Sequence, residues 1–189
     1  MSTATPTFRR VLVPVDFASP VDPAYATGTA LRLDDEARVS ISPASLRALE
    51  LGAELGQAGE LRLIHATPPL EPSGVYGGRA LSSLRGAIEQ VRQDAQTLAR
   101  SLLEGLASEY CDHPRISYAV AHGVPLMFVL DEAERFEADL VIVPVSDRGR
   151  LARFFLGSTT DRVIREAKCP VLVVPSEAEP VRKSQPRSA

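Results

Sequence analysis

Short apolar runs alternate along the chain with longer stretches in which apolar residues recur every three or four positions. The run Val11-Leu-Val-Pro-Val-Asp16 is nearly continuous and stops at a carboxylate, which suits a strand buried on both faces. Runs of the same kind cover Glu60–Ala66, Asp139–Val145 and Cys169–Pro175, with a weaker one at Arg115–Val120, so five strands are predicted. Ser42 followed by Pro43 supplies a hydroxyl cap and a preset φ at a helix start, and Leu46, Leu49 and Ala53 share one face of that helix. From Ala80 to Ala107, Leu84, Ile88, Val91, Ala95, Leu98, Leu102 and Leu106 fall at steps of three and four, which predicts one long amphipathic helix. Shorter helices are predicted at Val124–Phe136 and Thr159–Ala167. Strands alternating with helices predict parallel strands joined by right-handed crossovers. The expected class is therefore α/β, a doubly wound five-stranded sheet with helices on both faces.

Three segments break this rhythm. Residues 18–41 are inserted after the first strand, and in them Leu31, Leu33 and Val39, Ile41 alternate on either side of Asp34-Asp35-Glu36. That pattern reads either as a β-hairpin or as an irregular surface loop. Residues 67–79 are rich in Pro and Gly and read as a loop. Ser176–Ala189 has almost nothing apolar to bury and is expected to be disordered, residues 1–8 are expected to be flexible, and one domain is expected over residues 9–175.

Composition narrows the classes of function. Of 189 residues, 44% are hydrophobic and 24% charged, which fits a folded, soluble domain rather than a disordered chain. With 21 Lys and Arg against 24 Asp and Glu, the net charge of -3 offers no basic field for a nucleic acid backbone, so no nucleic acid partner is expected. No apolar run approaches the length of a bilayer span and the first ten residues lack the apolar stretch of a signal peptide; a cytoplasmic protein without a membrane partner is expected. Cys111 and Cys169, with His65, His113 and His122, show no metal-ligand spacing, so the cysteines are expected to be reduced structural thiols and no metal site is expected.

In an open parallel sheet, ligands bind beyond the carboxyl ends of the strands, where the strand order reverses. That singles out Pro14-Val15-Asp16-Phe17 after the first strand and Val143 to Arg150 after the fourth, continuing to Gly157-Ser158-Thr159-Thr160 at a helix start. Gly followed by hydroxyl residues at a helix start offers free N–H groups at the positive end of the helix dipole, which suits a phosphate, although the same pair also serves as a plain cap.

Together, Val11-Leu-Val-Pro-Val-Asp16-Phe17, Leu63-Ile-His-Ala66, His122-Gly-Val-Pro125, Ala138-Asp-Leu-Val-Ile142, Leu156-Gly-Ser158 and Cys169-Pro-Val-Leu-Val-Val174 resemble the universal stress protein family, from about Arg9 to Pro175. The resemblance implies a strand order of 3-2-1-4-5 and, in many members, ATP at the switch point. It also implies a homodimer through the last strand, here Val171, Leu172, Val173 and Val174, an apolar edge that would be a liability if bare. By the same resemblance, Asp16 matches the carboxylate that contacts the ribose, with Pro14 and Val15 beside it, and Ala66 matches the position whose backbone meets adenine. Val143, Gly157, Ser158 and Thr159 fall at the ends of the phosphate loop. The implied ligand is ATP or AMP, with Mg in the case of ATP.

The family's phosphate loop runs glycine, two residues, glycine, nine residues, Gly-Ser. Gly157 and Ser158 match its end, but Pro144 and Asp147 stand where the first two glycines belong. Proline has no N–H to give and its ring fixes φ near −65°, whereas glycine in such a loop lets N–H groups close on the anion. A carboxylate about 4 Å from a phosphate charge repels it by roughly 1 kcal/mol in water and several times that when partly shielded. Triphosphate binding is expected to be weakened, with Arg148 and Arg150 either compensating or standing as solvated loop charges. The insertion leaves the first strand beside this site and reads as a lid, a plug or surface decoration.

No Gly-x-Ser-x-Gly elbow is present, His65 reads as a core or hydrogen-bonded histidine and His113 as an exposed loop residue, so no catalytic residue is expected. Nothing in the chain argues for a slow ATPase using Asp16 and a metal. Two functional readings remain: an interaction or signalling module with weak or absent ATP binding, and a functional ATP- or AMP-binding switch.

Overall fold

The computed structural model describes residues 8–18, 29–32, 38–67, 79–145 and 158–175. The elements in chain order begin with β1 (Arg10–Pro14), β2 (Phe17–Ala18), β3 (Thr29–Arg32), β4 (Arg38–Ile41), α1 (Pro43–Leu55) and β5 (Glu60–Thr67). They continue with α2 (Arg79–Tyr110), β6 (Ile116–His122), α3 (Pro125–Arg135), β7 (Leu140–Pro144), α4 (Ser158–Glu166) and β8 (Val171–Val174).

Five strands form one parallel sheet in the order β6-β5-β1-β7-β8. Numbered among themselves, they follow the expected order 3-2-1-4-5. The near-continuous apolar run of β1 has its reason in the two layers around it. Val11 and Val13 pack with Ala44, Ala48 and Leu49 of α1 and Leu103 and Leu106 of α2. Leu12 packs with Leu126 and Val129 of α3 and Val163 of α4. All three β1 residues are fully buried, so neither face has room for a polar side chain. On the α3 side, the Arg62 guanidinium reaches Glu132 at 2.8 Å and lies over the Phe136 ring at 4.1 Å, tying α3 to β5.

Residues Thr29–Arg32 and Arg38–Ile41 pair antiparallel within the insertion. No sequence pattern announces β2, whose Phe17 and Ala18 pair with Ile41 and Ser40 and close a second, three-stranded sheet, β2-β4-β3. The two ends of the insertion therefore meet. The chain leaves the main sheet after β1 and returns to α1 almost where it left, with Ile41 fully buried in the α1-side core. Leu33 and Asp34-Asp35-Glu36 lie outside the described residues, as do residues 1–7 and the stretch after Pro175.

Ser42 caps α1 by accepting a 3.1 Å hydrogen bond from the Ser45 N–H, with Pro43 in the first turn. The amphipathic helix read over Ala80–Ala107 is present as α2, but its apolar stripe is covered unevenly: Leu102 and Leu106 are buried, with Ala99, Leu103 and Ala107, whereas Val91 and Leu98 are 52% and 48% exposed. A helix of 32 residues runs about 48 Å, whereas the 8-residue β5 runs only about 26 Å, so the first half of α2 overruns the sheet it covers. His113, expected to be exposed, is buried: its Nε2 donates to the Gly56 carbonyl at 2.9 Å and its Nδ1 accepts from the Arg115 N–H at 3.1 Å. With Arg115 donating to the Gly59 and Ala58 carbonyls, it latches the α2–β6 connection onto the turn after α1. In that turn a side chain at Gly59 would come within 2.2 Å of the Arg9 carbonyl oxygen, so glycine is what lets β5 start this close to β1.

Candidate functional site

A cavity of about 330 Å³ opens at the carboxyl ends of β1, β5 and β7. β1 leads by way of the insertion to α1 on one face, whereas β7 leads to α4 on the other. The crevice between them is the place where an open α/β sheet receives ligands.

The wall from β1 and β5 is tied together by hydrogen bonds. Val15 N–H donates to the Ile64 carbonyl at 2.8 Å, which carries the chain one residue past the end of β1 and sets Asp16 at the cavity. His65 Nδ1 donates to the Val15 carbonyl at 2.8 Å, and its ring meets Phe17 at 5.1 Å between centroids, tilted by 52°. Pro14, Ile64 and Ala66 complete this side. Opposite stand Val143 and Pro144 of β7 and Thr159, Thr160 and Val163 in α4. The start of α3 contributes Pro125, Phe128 and Val129, and α1 contributes Ser45, whose hydroxyl is 3.0 Å from that of Ser42. No described residue from 17 to 41 lines the cavity, so among the described residues the insertion does not plug it.

Of the residues singled out from sequence, Pro14, Val15, Asp16, Ala66, Val143, Pro144 and Thr159 come together here. Ser158 opens α4; Asp147, Arg148, Arg150 and Gly157 lie outside the described residues. Thr160, named in the sequence with Thr159, also lines the cavity, whereas sequence reasoning missed Ser45, the α3 contribution and the part of His65 in the wall. The signal for α3 was present in His122-Gly-Val-Pro125, where a helix starts at the carboxyl end of β6.

Asp16 is the one acidic residue lining the cavity among the described residues, and no described lysine or arginine lines it. Its lining is otherwise apolar apart from the His65 imidazole and hydroxyl groups at the starts of α1 and α4. Thr67 Oγ1 is 3.1 Å from His122 Nδ1, but Thr67 is buried and neither residue lines the cavity, so the pair joins the ends of β5 and β6. Burial, and then the charge of Asp112, push the Cys111 thiol up to about 11; burial, and then Asp139, raise that of Cys169. Neither thiol has the character of a nucleophile. Among the described residues no cluster of three His, Cys, Asp or Glu is arranged for a metal ion, and no helix is long and apolar enough to cross a membrane.

Residues 39–175 match the family model described as the Universal stress protein family. Over 60 residues, 32% of the chain, the sequence is 40% identical to a universal stress protein of Methanocaldococcus jannaschii. Over 100 residues, 52% of the chain, it is 31% identical to one of Synechocystis. These stretches span only 35% and 65% of the relatives' own lengths. Among solved structures, the hypothetical protein MJ0577 matches with a TM-score of 0.63 at 19% identity, covering 92% of this chain and 99% of that one. UspA of Lactobacillus plantarum matches at 0.50 and 21%, covering 89% and 98%. A universal stress protein family protein of Arabidopsis thaliana, solved with AMP bound, matches at 0.51 and 18%, covering 93% and 97%. At these identities the structural likeness is one of fold. The family match begins in β4, the last strand of the insertion, so that β1 lies outside it, and runs to the residue after β8. By that match, the chain belongs to the universal stress protein family.

Proposed function

We propose that this chain is a stress-response binding module whose cavity takes an adenine nucleoside monophosphate in preference to the triphosphate, and which signals through contacts between two copies rather than by catalysis. The observation that carries this is the asymmetry of the cavity. Asp16 and the Ala66 backbone stand ready for a ribose and a base on one side, while on the other Pro144 removes an N–H from the phosphate loop and no described cation lines the wall. A volume of about 330 Å³ lies at the small end of ligand sites, which run from roughly 300 to 1,000 Å³. The AMP held by the Arabidopsis protein of the same fold supports this ligand class.

A second reading, an ATP-dependent switch, draws on the three hydroxyl residues Ser158-Thr159-Thr160 at the start of α4, where N–H groups and the helix dipole favour phosphate. Calorimetric titration with AMP and with Mg-ATP, together with chromatography of nucleotide released on denaturing the purified protein, separates the two. AMP is expected to bind more tightly than Mg-ATP and to dominate any released nucleotide. Mg-ATP binding tenfold tighter than AMP would establish the switch instead.

A further inference from the structure

The His65 imidazole is held at two points and open at a third. A carbonyl oxygen only accepts, so the 2.8 Å contact with the Val15 carbonyl requires the proton on Nδ1. Neutral imidazole carries one N–H, which leaves Nε2 as an acceptor. The Phe17 ring, 5.1 Å from the imidazole, restricts rotation about the side chain. Phe17 is itself held by strand pairing with the fully buried Ile41, the residue that ends the insertion. The inserted sheet thus buttresses the imidazole from behind while contributing nothing described to the cavity lining. Nε2 has no hydrogen-bond partner among the described residues, and the partly exposed His65 lines the cavity between Val15-Asp16 and Ala66.

On these grounds we infer that His65 is a specificity-determining contact of the site, its Nε2 accepting a hydrogen bond from an N–H or O–H donor of the bound nucleotide. The inference rests on the nucleotide reading above and adds the residue that selects within it. The donor is the exocyclic amine of adenine or a ribose hydroxyl, since His65 stands between the two positions assigned to base and sugar. A preset acceptor of this kind discriminates against ligands lacking the donor, because an acceptor in a desolvated site loses its partner.

The test is a calorimetric cycle with His65→Asn and four probes: AMP, purine riboside 5′-monophosphate, 2′-deoxy-AMP and 3′-deoxy-AMP. Asn keeps an amide donor near the position of Nδ1 for the Val15 carbonyl and deletes the acceptor at Nε2. The Asn substitution is expected to weaken AMP by roughly threefold to tenfold, the span of one neutral hydrogen bond. One of the three analogues should bind the unaltered protein more weakly by a similar factor, and that analogue should be indifferent to the substitution, which identifies the donor. AMP affinity within twofold of the unaltered protein, or an equal loss on all four probes, overturns the assignment to His65 and leaves the nucleotide reading standing. Failure of the unaltered protein to bind AMP overturns both. Should His65→Asn fail to fold, His65→Gln, which keeps a polar atom near Nε2, takes its place in the cycle with an expected loss on AMP smaller than threefold. An unaltered protein that binds all three analogues as tightly as AMP overturns the inference without any variant.

Discussion

On the β1–β5 side of the cavity, each lining segment is fastened to its neighbour. Val15 is fixed to Ile64 and His65 to Val15, each at 2.8 Å, and Asp16 follows directly on this braced backbone. On the β7–α4 side, β7 ends in a proline that cannot donate, and the hydroxyls of Thr159 and Thr160 belong to the first turn of a separate helix. The contrast teaches that the two halves of a nucleotide site are separable. Base and sugar are met by strand ends that the sheet positions in any case, whereas phosphates depend on a loop whose backbone conformation and N–H groups individual residues can remove.

The largest expected effect attacks the braced wall. Asp16→Ala should weaken AMP by about tenfold to a hundredfold, the range for hydrogen bonds to an ionised group, as measured by calorimetry. A loss below threefold would mean that the ribose does not meet this carboxylate. The next effect restores the other wall. Pro144→Gly combined with Asp147→Gly should tighten Mg-ATP by roughly tenfold, by returning one N–H donor, freeing the backbone and removing a like charge, while AMP gains no more than about threefold because it presents a single phosphate. Equal gains for both nucleotides, or none, would show that the phosphates lie elsewhere.

Much of the fold was legible because burial on both faces of a parallel strand leaves an unmistakable apolar run, as in Val11-Leu-Val and Leu140-Val-Ile-Val. What stayed hidden depended on partners distant in the chain. β2 is two residues long and exists only because Ser40 and Ile41 come back to it. Periodicity alone set the exposed Val91 and Leu98 on one stripe with the buried Leu102 and Leu106, since it registers which residues share a stripe and not whether a sheet lies beneath them. His113 is buried by carbonyls 57 residues away, at Gly56, which no local pattern announces. In the site, Asp16 and Pro144 followed from the strand-end rule and Ala66 from the family resemblance, whereas the part of His65 required knowing which carbonyl its Nδ1 faces.

The last prediction concerns the edge of the sheet beside the β7–α4 wall, where the Val145 N–H donates to the Val174 carbonyl at 2.8 Å. β8 closes that edge, with Pro144 paired to Val174 and Leu172 36% exposed, so a second copy of the chain pairing along β8 would lie next to the phosphate side and far from the β1–β5 wall. Such an apolar edge strand is covered by a partner or defended by charge, and Val171-Leu-Val-Val174 carries none. Light scattering at micromolar concentration should give twice the chain mass for the unaltered protein and the single-chain mass for Leu172→Lys. Because no β8 residue lines the cavity, the same substitution should shift AMP affinity by less than about twofold, the smallest effect in the series. A monomeric unaltered protein would remove the dimer. A dimer whose loss changes AMP affinity by more than about fivefold would instead show that the phosphate-side wall is completed across the subunit interface.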